Sequence, residues 1–530
     1  MSQATRRVSI DFDQAATNGS QPERSTVSSS GSAEESRSAA RDDVHVDLER
    51  IELSEVKLDP VWSRILSPSA ARRFHAVGIC RIGKEVVVAT SLNDVGDLRQ
   101  HLGSSLRHPF RLVRADEKEI RQLISQLYPI SSKAALPSED GDHVNAVQSC
   151  DDLLRAACLR GASDIHLVPG ETLVQSKFRV DGLLEEYQSF PPSEHAGMIS
   201  RLKVLAGLNI AEKRRPQDGR FTTTLATTSQ RVDVRVATIP TRYGERVTLR
   251  LLASQPQAPS LIDLGMSEAD QQLFGRAMAC SNGLVLLTGP TGCGKSTTLY
   301  TAISNLLRLR GGNIVTVEDP IEYEIPGTTQ VEVDSAEKIT FPSALRSILR
   351  HDPDVIMLGE IRDAETADLA IKASLTGHLV FSTLHTNTAA GAVTRLMDLG
   401  VEPFLIAATL RLAVAQRLVR RLCPRCRAES PLDESDAAAL ADPSLLGSRA
   451  FRSVGCVYCA GKGYRGRTAL FEMLPGTDTL NRLIHIRATE QDVIEHMQQS
   501  GRPLLAEDGI RNVLAGKTTA QQVLNAVTMW

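Results

Sequence analysis

The sequence predicts an α/β protein: a doubly wound P-loop core, preceded by an α+β unit and a small N-terminal α/β unit, and followed by a cysteine module and a helical C-terminus. Three observations carry this. Four short apolar runs, GLVLLTG, NIVTVED, DVIMLGE and HLVFSTLH, are separated by segments of helical spacing, the rhythm of a parallel sheet covered on both faces. A G-x-x-x-x-G-K-S string closes the first run, at Gly289–Ser296. Two CxxC pairs follow downstream.

Taken in order, residues 1–45 read as a disordered tail: SQPERSTVSSSGSAEESRSAARDD has almost nothing to bury, although such a segment can also fold on a partner. Residues 46–130 form the small α/β domain, with VVVAT as a buried strand and EKEIRQLISQLY as a helix. A linker spans 131–145. Residues 146–255 mix a helix (AVQSCDDLLRAACLRGA) with strand-like segments (DIHLVP, KFRVDG, RVDVRVATIP, RVTLRLL) and lack a βαβ rhythm, hence α+β. The core occupies 256–420, the cysteine module 421–467, and a helical region 468–530.

Composition narrows the function. The 530 residues carry 60 Lys+Arg against 63 Asp+Glu, a net charge of -3, and only 4% aromatics. A protein that coats nucleic acid should be basic, and one that stacks bases should be aromatic-rich. No apolar run approaches the length of a membrane span, and no apolar stretch follows Arg6 and Arg7 to make a signal peptide. The expected compartment is the cytosol.

The P-loop carries the strongest chemistry. Gly289, Pro290, Thr291, Gly292, Cys293 and Gly294 form a loop whose backbone N–H groups can cradle phosphates, at the N-terminus of a helix that opens with Lys295, Ser296 and Thr297. Lys295 can reach the β/γ-phosphates, and the Ser296 hydroxyl can bind Mg²⁺. Cys293 reads as a small packing residue. Glu360 ends DVIMLGE at the Walker B position, with Gly359 where an Asp is usual. Glu318 and Asp319 end TVED and form a second acidic cluster. His378 and His385 bracket LVFSTL and are candidate γ-phosphate sensors; lone histidines are more often structural. Arg346 and Arg350 share a helix face by i, i+4 spacing, and KRRPQDGR with DVR supplies further cations.

Cys423, Cys426, Cys456 and Cys459, with 29 residues between the pairs, suit a structural Zn²⁺ site; redox pairs or free thiols are the alternative. The other cysteines read as small buried residues.

Taken together, GPTGCGKSTTLY, TVEDPIEY, ALRSILRHDPDVIMLGEIRDAETA, SLTGHLVFSTLHTNTAAGAVTRL, ASDIHLVP, AEKRRPQDGR and AQRLVRRLCPRC resemble the secretion ATPases of the type II secretion and type IV pilus superfamily. The resemblance covers about 146–470. YGERVTLRLL and HTNTAAGAVTRL look like the general secretion pathway protein E branch; pilus-assembly motors tend to carry HTNDA where Thr388 stands. The resemblance implies a RecA-like core that hydrolyses ATP with Mg²⁺, a zinc module, and a hexameric ring at the cytoplasmic face of the inner membrane. It implies an N-terminal domain docked on the cytoplasmic domain of a platform protein, with membrane association through that partner. It matches Arg220 and Arg235 to the phosphate-facing arginines of the preceding domain, and Arg346 and Arg350 to those of the core. It matches Glu318 to the acidic-box glutamate proposed to activate water, and Glu360 to the Walker B glutamate. The implied function is a motor driving pseudopilus assembly and protein export, with pilus assembly as the alternative. A nucleic-acid motor using the zinc module, and an ATP-binding scaffold with little turnover, are readings from other classes. The sequence departs from the family at Val168, where Glu is usual, and at AEKITF, which lacks a Gly; the repeated Leu-Gly pattern of branches that bind cyclic dinucleotide is not seen in 46–130.

Overall fold

A computed structural model of the chain describes residues 48–128, 141–224, 231–253, 258–334 and 339–527. The predicted tail, most of the predicted linker and the first part of AEKITF lie outside these residues.

Near the N-terminus, β1 (Ala76–Ile82), β2 (Glu85–Thr90) and β3 (Phe110–Arg114) form a sheet in the order β1-β2-β3. β1 and β2 pair antiparallel, β2 and β3 parallel. The helix Glu117–Leu127 packs against it; Asp116 caps that helix by accepting from Lys118 N–H at 2.8 Å.

The next unit begins with the helix Gly141–Leu159, which takes in the last residues assigned to the linker. Six antiparallel strands follow: β4 (Ala162–Pro169), β5 (Val174–Val180), β6 (Leu183–Phe190), β7 (Gln217–Thr224), β8 (Arg231–Thr241) and β9 (Gly244–Ala253). Their order is β6-β5-β4-β9-β8-β7. In β8 the sequence RVDVRVAT alternates exposed and buried residues, as expected of a sheet with one face on a core. Helices Gly141–Leu159 and Pro192–Leu205 supply that core through Leu153, Ala157, Met198 and Leu202.

The P-loop sheet consists of β10 (Gly283–Thr288), β11 (Ile314–Glu318), β12 (Thr329–Glu332), β13 (Val355–Leu358), β14 (Leu379–Leu384), β15 (Leu410–Leu422) and β18 (Tyr464–Pro475), in the order β12-β11-β13-β14-β10-β15-β18. The first six are parallel, and β18 returns antiparallel to β15. β10 is buried along its length. Leu284 and Leu286 face the cluster formed with helices Ala364–Leu375 and Ala389–Asp398, while Val285 and Leu287 face the helices Glu268–Ala279 and Lys295–Arg310. Each fully buried Leu or Val contributes roughly 1.5–3 kcal/mol, so a strand apolar on both faces is stable only between two helical layers. This is the RecA-like α/β architecture expected.

Two expectations need correction. Residues 468–475 were assigned to the helical end, yet they complete β18, because TALFEML buries both faces as an extended strand on β15. The C-terminal helices then pack on the same cluster as the core, through Leu480, Ile484, Val493, Met497 and Val513. The helix bearing Arg346 ends at Ile348, so Arg350 lies beyond it in the following turn rather than on the same helix.

Between β15 and β18 sits the cysteine module, whose own sheet is β16 (Ala428–Glu429) paired with β17 (Phe451–Arg452). Among the described residues no helix is long and apolar enough to cross a membrane.

Candidate functional site

Parallel strands bring their carboxyl ends to one edge, and ligands bind there. Along that edge β11, β13, β14, β10 and β15 stand side by side. The order lines up Glu318, Glu360, His385, the P-loop and Gln416. With strands about 4.8 Å apart, the end of β13 lies about 10 Å from that of β10, and the end of β11 about 14 Å.

Gly289, Gly292 and Gly294 have φ of 144°, 80° and 93°. At Gly294 a Cβ would also come within 2.9 Å of Gln416 Nε2, so the left-handed turn and the close packing both require glycine. The helix Lys295–Arg310 starts at once, with Ser296 exposed at its tip and Thr297 half-buried. The Lys295 ammonium donates to Gly289 O at 2.6 Å and Pro290 O at 3.2 Å. Burial lowers its pKa, partly opposed by the nearby Glu360 charge. Cys293 is buried in the loop, and burial pushes its thiol pKa up, as expected for a packing residue.

Glu360 follows β13 with its carboxylate held from two sides. Arg362 pairs with one oxygen, and His385 Nε2 lies 3.1 Å from the other. Arg362 also approaches Asp319 at 3.6 Å. His385 thus stands at the same sheet edge as the P-loop. His378 does not: it precedes β14, bonds through Nδ1 to Ala373 O at 2.9 Å, and sits at the opposite edge, about 20 Å away along a six-residue strand. Its role as a sensor in this chain's own site is corrected, because bracketing a strand separates two residues by its full length.

Glu318 is 4% exposed. It accepts from Thr316 Oγ1 at 2.6 Å, from Gln330 Nε2 at 3.0 Å and from the Tyr300 hydroxyl. Tyr300, on the P-loop helix, also receives Glu322 N–H at 3.1 Å. The carboxylate is thus engaged by internal donors, whereas Glu360 stands closer to the loop and more open to it.

The preceding domain reaches this region. Arg220 and Arg235 face each other across β7 and β8. Like charges directly opposite repel, yet both point at the core: Arg235 donates to Ile321 O at 2.7 Å, and Arg220 to Glu332 Oε1 at 3.2 Å. Arg346 pairs with Glu365, and Arg350 donates to Arg346 O at 3.1 Å; both are exposed on the outside of the core and neither is brought to the P-loop of this chain.

Sequence reasoning missed Gln416 and Arg417. Gln416, 1% exposed, donates to Cys293 O at 3.0 Å and accepts from Thr298 Oγ1 at 2.8 Å, bracing the loop and its helix together. Arg417, 5% exposed, donates to Asn387 O at 3.0 Å, tying the segment after His385 to the P-loop side. Register alone places them: Ala415 pairs with Thr288, the last residue before the loop.

The four cysteines converge. Their sulfurs all lie within 4.8 Å of one another, and the Cys423–Cys456, Cys426–Cys459 and Cys456–Cys459 pairs are each at 3.8 Å. A tetrahedron of Zn–S bonds near 2.3 Å has edges of about 3.8 Å, so the donor set fits Zn²⁺. Backbone N–H groups of Gly455, Cys456 and Gly463 point at Cys426 or Cys459 sulfur at 3.1–3.3 Å, as befits thiolate acceptors.

Residues 139–525 match the model of the family described as Type II/IV secretion system protein. Type II secretion system protein E of Pseudomonas aeruginosa is 46% identical over 386 residues, covering 73% of this chain and 76% of that one. Type II secretion system ATPase E of Vibrio cholerae is 42% identical over 448 residues, covering 79% and 88%. The X-ray structure of the Legionella pneumophila ATPase DotB is similar with a TM-score of 0.53 at 23% identity, over 71% of this chain and 94% of that one, a likeness of fold.

Proposed function

The chain belongs to the type II/IV secretion system protein family, among the type II secretion protein E relatives, and from that premise we propose that it is the ATPase motor of a type II secretion system. It hydrolyses ATP to drive pseudopilus assembly and protein export. The observation that carries this is the row Glu360–His385–P-loop–Gln416 at one sheet edge, with Arg235 delivered from the preceding domain.

In this reading the P-loop N–H groups and Lys295 hold the phosphates, and Gln416 keeps the loop in shape. Ser296 would hold Mg²⁺, which supplies positive charge to the phosphate oxygens. Glu360, set by His385 and Arg362, orients the attacking water; Glu318 ties β11 to the P-loop helix through Tyr300 and to β12 through Gln330. Arg220 and Arg235 add positive charge to the phosphates as the two domains close, a contribution of known weight in phosphoryl transfer. Arg346 and Arg350, exposed on the outer face, act across a subunit boundary in a homo-hexamer. The cysteine module holds Zn²⁺. The ring works at the cytoplasmic face of the inner membrane, bound through its N-terminal domain to the cytoplasmic domain of a platform protein.

The test is Lys295→Ala, read as phosphate release by the purified chain and as secretion by the cell. Both should be lost while the protein accumulates normally. If both persist, the motor reading is wrong.

A further inference from the structure

Among the described residues, the buried core of the N-terminal domain contains one residue that does not belong to that domain. Its buried members run from Ile51 to Tyr128, with the exception of Val457, which is 2% exposed and lies between the third and fourth cysteines. Tyr458 and Ala460 pack on the same cluster. Backbone meets backbone here: a Cβ on Gly461 would come within 2.8 Å of Arg81 O in β1. Around this contact, Arg425 bonds Glu55 at 2.5 Å and lies 4.9 Å over the Tyr458 ring. An ionic chain continues outward. Lys462 pairs with Glu185, which pairs with Arg160 at 3.2 Å, and Arg160 approaches Asp59 at 3.5 Å. Asp181, in the turn between β5 and β6, accepts from Lys57 at 2.9 Å and from Gly466 N–H at 3.4 Å.

The segment presenting Val457 is a single 3-10 turn, Val457–Cys459. One turn cannot hold its own shape. Its geometry is fixed by the flanking sulfurs, so metal binding and local folding are one event. We propose that the zinc knuckle is a clasp: its outer face is an interaction surface whose partner is the chain's own N-terminal domain, and the metal sets where that domain sits on the motor. Zinc here joins the N-terminal domain to the motor rather than stabilising the ATPase core.

The full-length protein is tested in two arms, a Val457→Asp variant with its zinc content measured and wild-type protein stripped by a chelator. The readouts are amide hydrogen exchange along Ala76–Ile82 and nucleotide affinity. The clasp predicts that exchange along that strand rises at least tenfold in both arms, while nucleotide affinity stays within about twofold. Unchanged exchange in the stripped protein, or in a Val457→Asp variant that keeps its zinc, would overturn it. So would loss of nucleotide binding on stripping, which would assign the module to the core's own stability. If Val457→Asp itself loses zinc, the stripped arm alone decides.

Discussion

Gln416 illustrates what a single residue can do without being legible. A buried amide in a strand carries no motif, and its importance appears only when β15 is known to pair with β10 in this register. Removing it strips Cys293 O of its buried side-chain donor and leaves Thr298 Oγ1 only Gly294 O, at a cost of about 1–2 kcal/mol. Gln416→Ala should therefore raise the nucleotide dissociation constant roughly tenfold; an isothermal titration giving wild-type affinity would refute the brace. By contrast Lys295, Ser296 and Glu360 were readable from local sequence, because loop, helix start and strand end are contiguous there. His385 was readable for the same reason, whereas His378 opens the strand that His385 closes, so the strand's length sets it at the opposite edge. Glu318 and Glu360 could not be ranked from sequence, since the ranking depends on sheet order.

At the scale of elements, the four core strands with uninterrupted apolar runs were visible, and so was the alternation of β8. β12, with half-buried residues, was not, and the part of β18 from residue 468 on fell in the expected helical region because an apolar run buried on both faces has no period of its own. The four-cysteine module makes a sharp prediction at Gly455, whose φ is 111° and whose Cβ would lie 2.5 Å from Gly461 O. Gly455→Ala should lower zinc affinity at least tenfold in a competition titration. The α+β unit offers a pH test. His195 is buried, with Nε2 2.9 Å from Glu245 O and Nδ1 unpartnered, and burial holds its pKa below the ordinary value. The unfolded chain takes up a proton below about pH 6.5 where the folded chain does not, so stability falls as pH drops from that point toward the folded pKa. His195→Gln should narrow the difference in denaturation midpoint between pH 7.5 and 5.5; an unchanged or larger difference would contradict the assignment.

For the whole molecule, the order of units was legible from motifs, while their junctions were not. A boundary at 468 cuts a strand, and one at 421 cuts another, because β15 and β18 belong to the core sheet while the module between them touches the N-terminal domain. Long-range contacts of that kind leave no local trace in sequence. The molecule sets Arg235 of the preceding domain against the P-loop core and the cysteine module against the N-terminal domain. The proposed motor rests on hydrolysis at the P-loop edge with Glu360 orienting the attacking water. The most direct measurement is single-turnover phosphate release by the full-length Glu360→Gln protein, with nucleotide affinity measured in parallel. The account predicts affinity within about threefold of wild type and release slowed by a factor of about 100 or more. Release at the wild-type rate with nucleotide bound would contradict it.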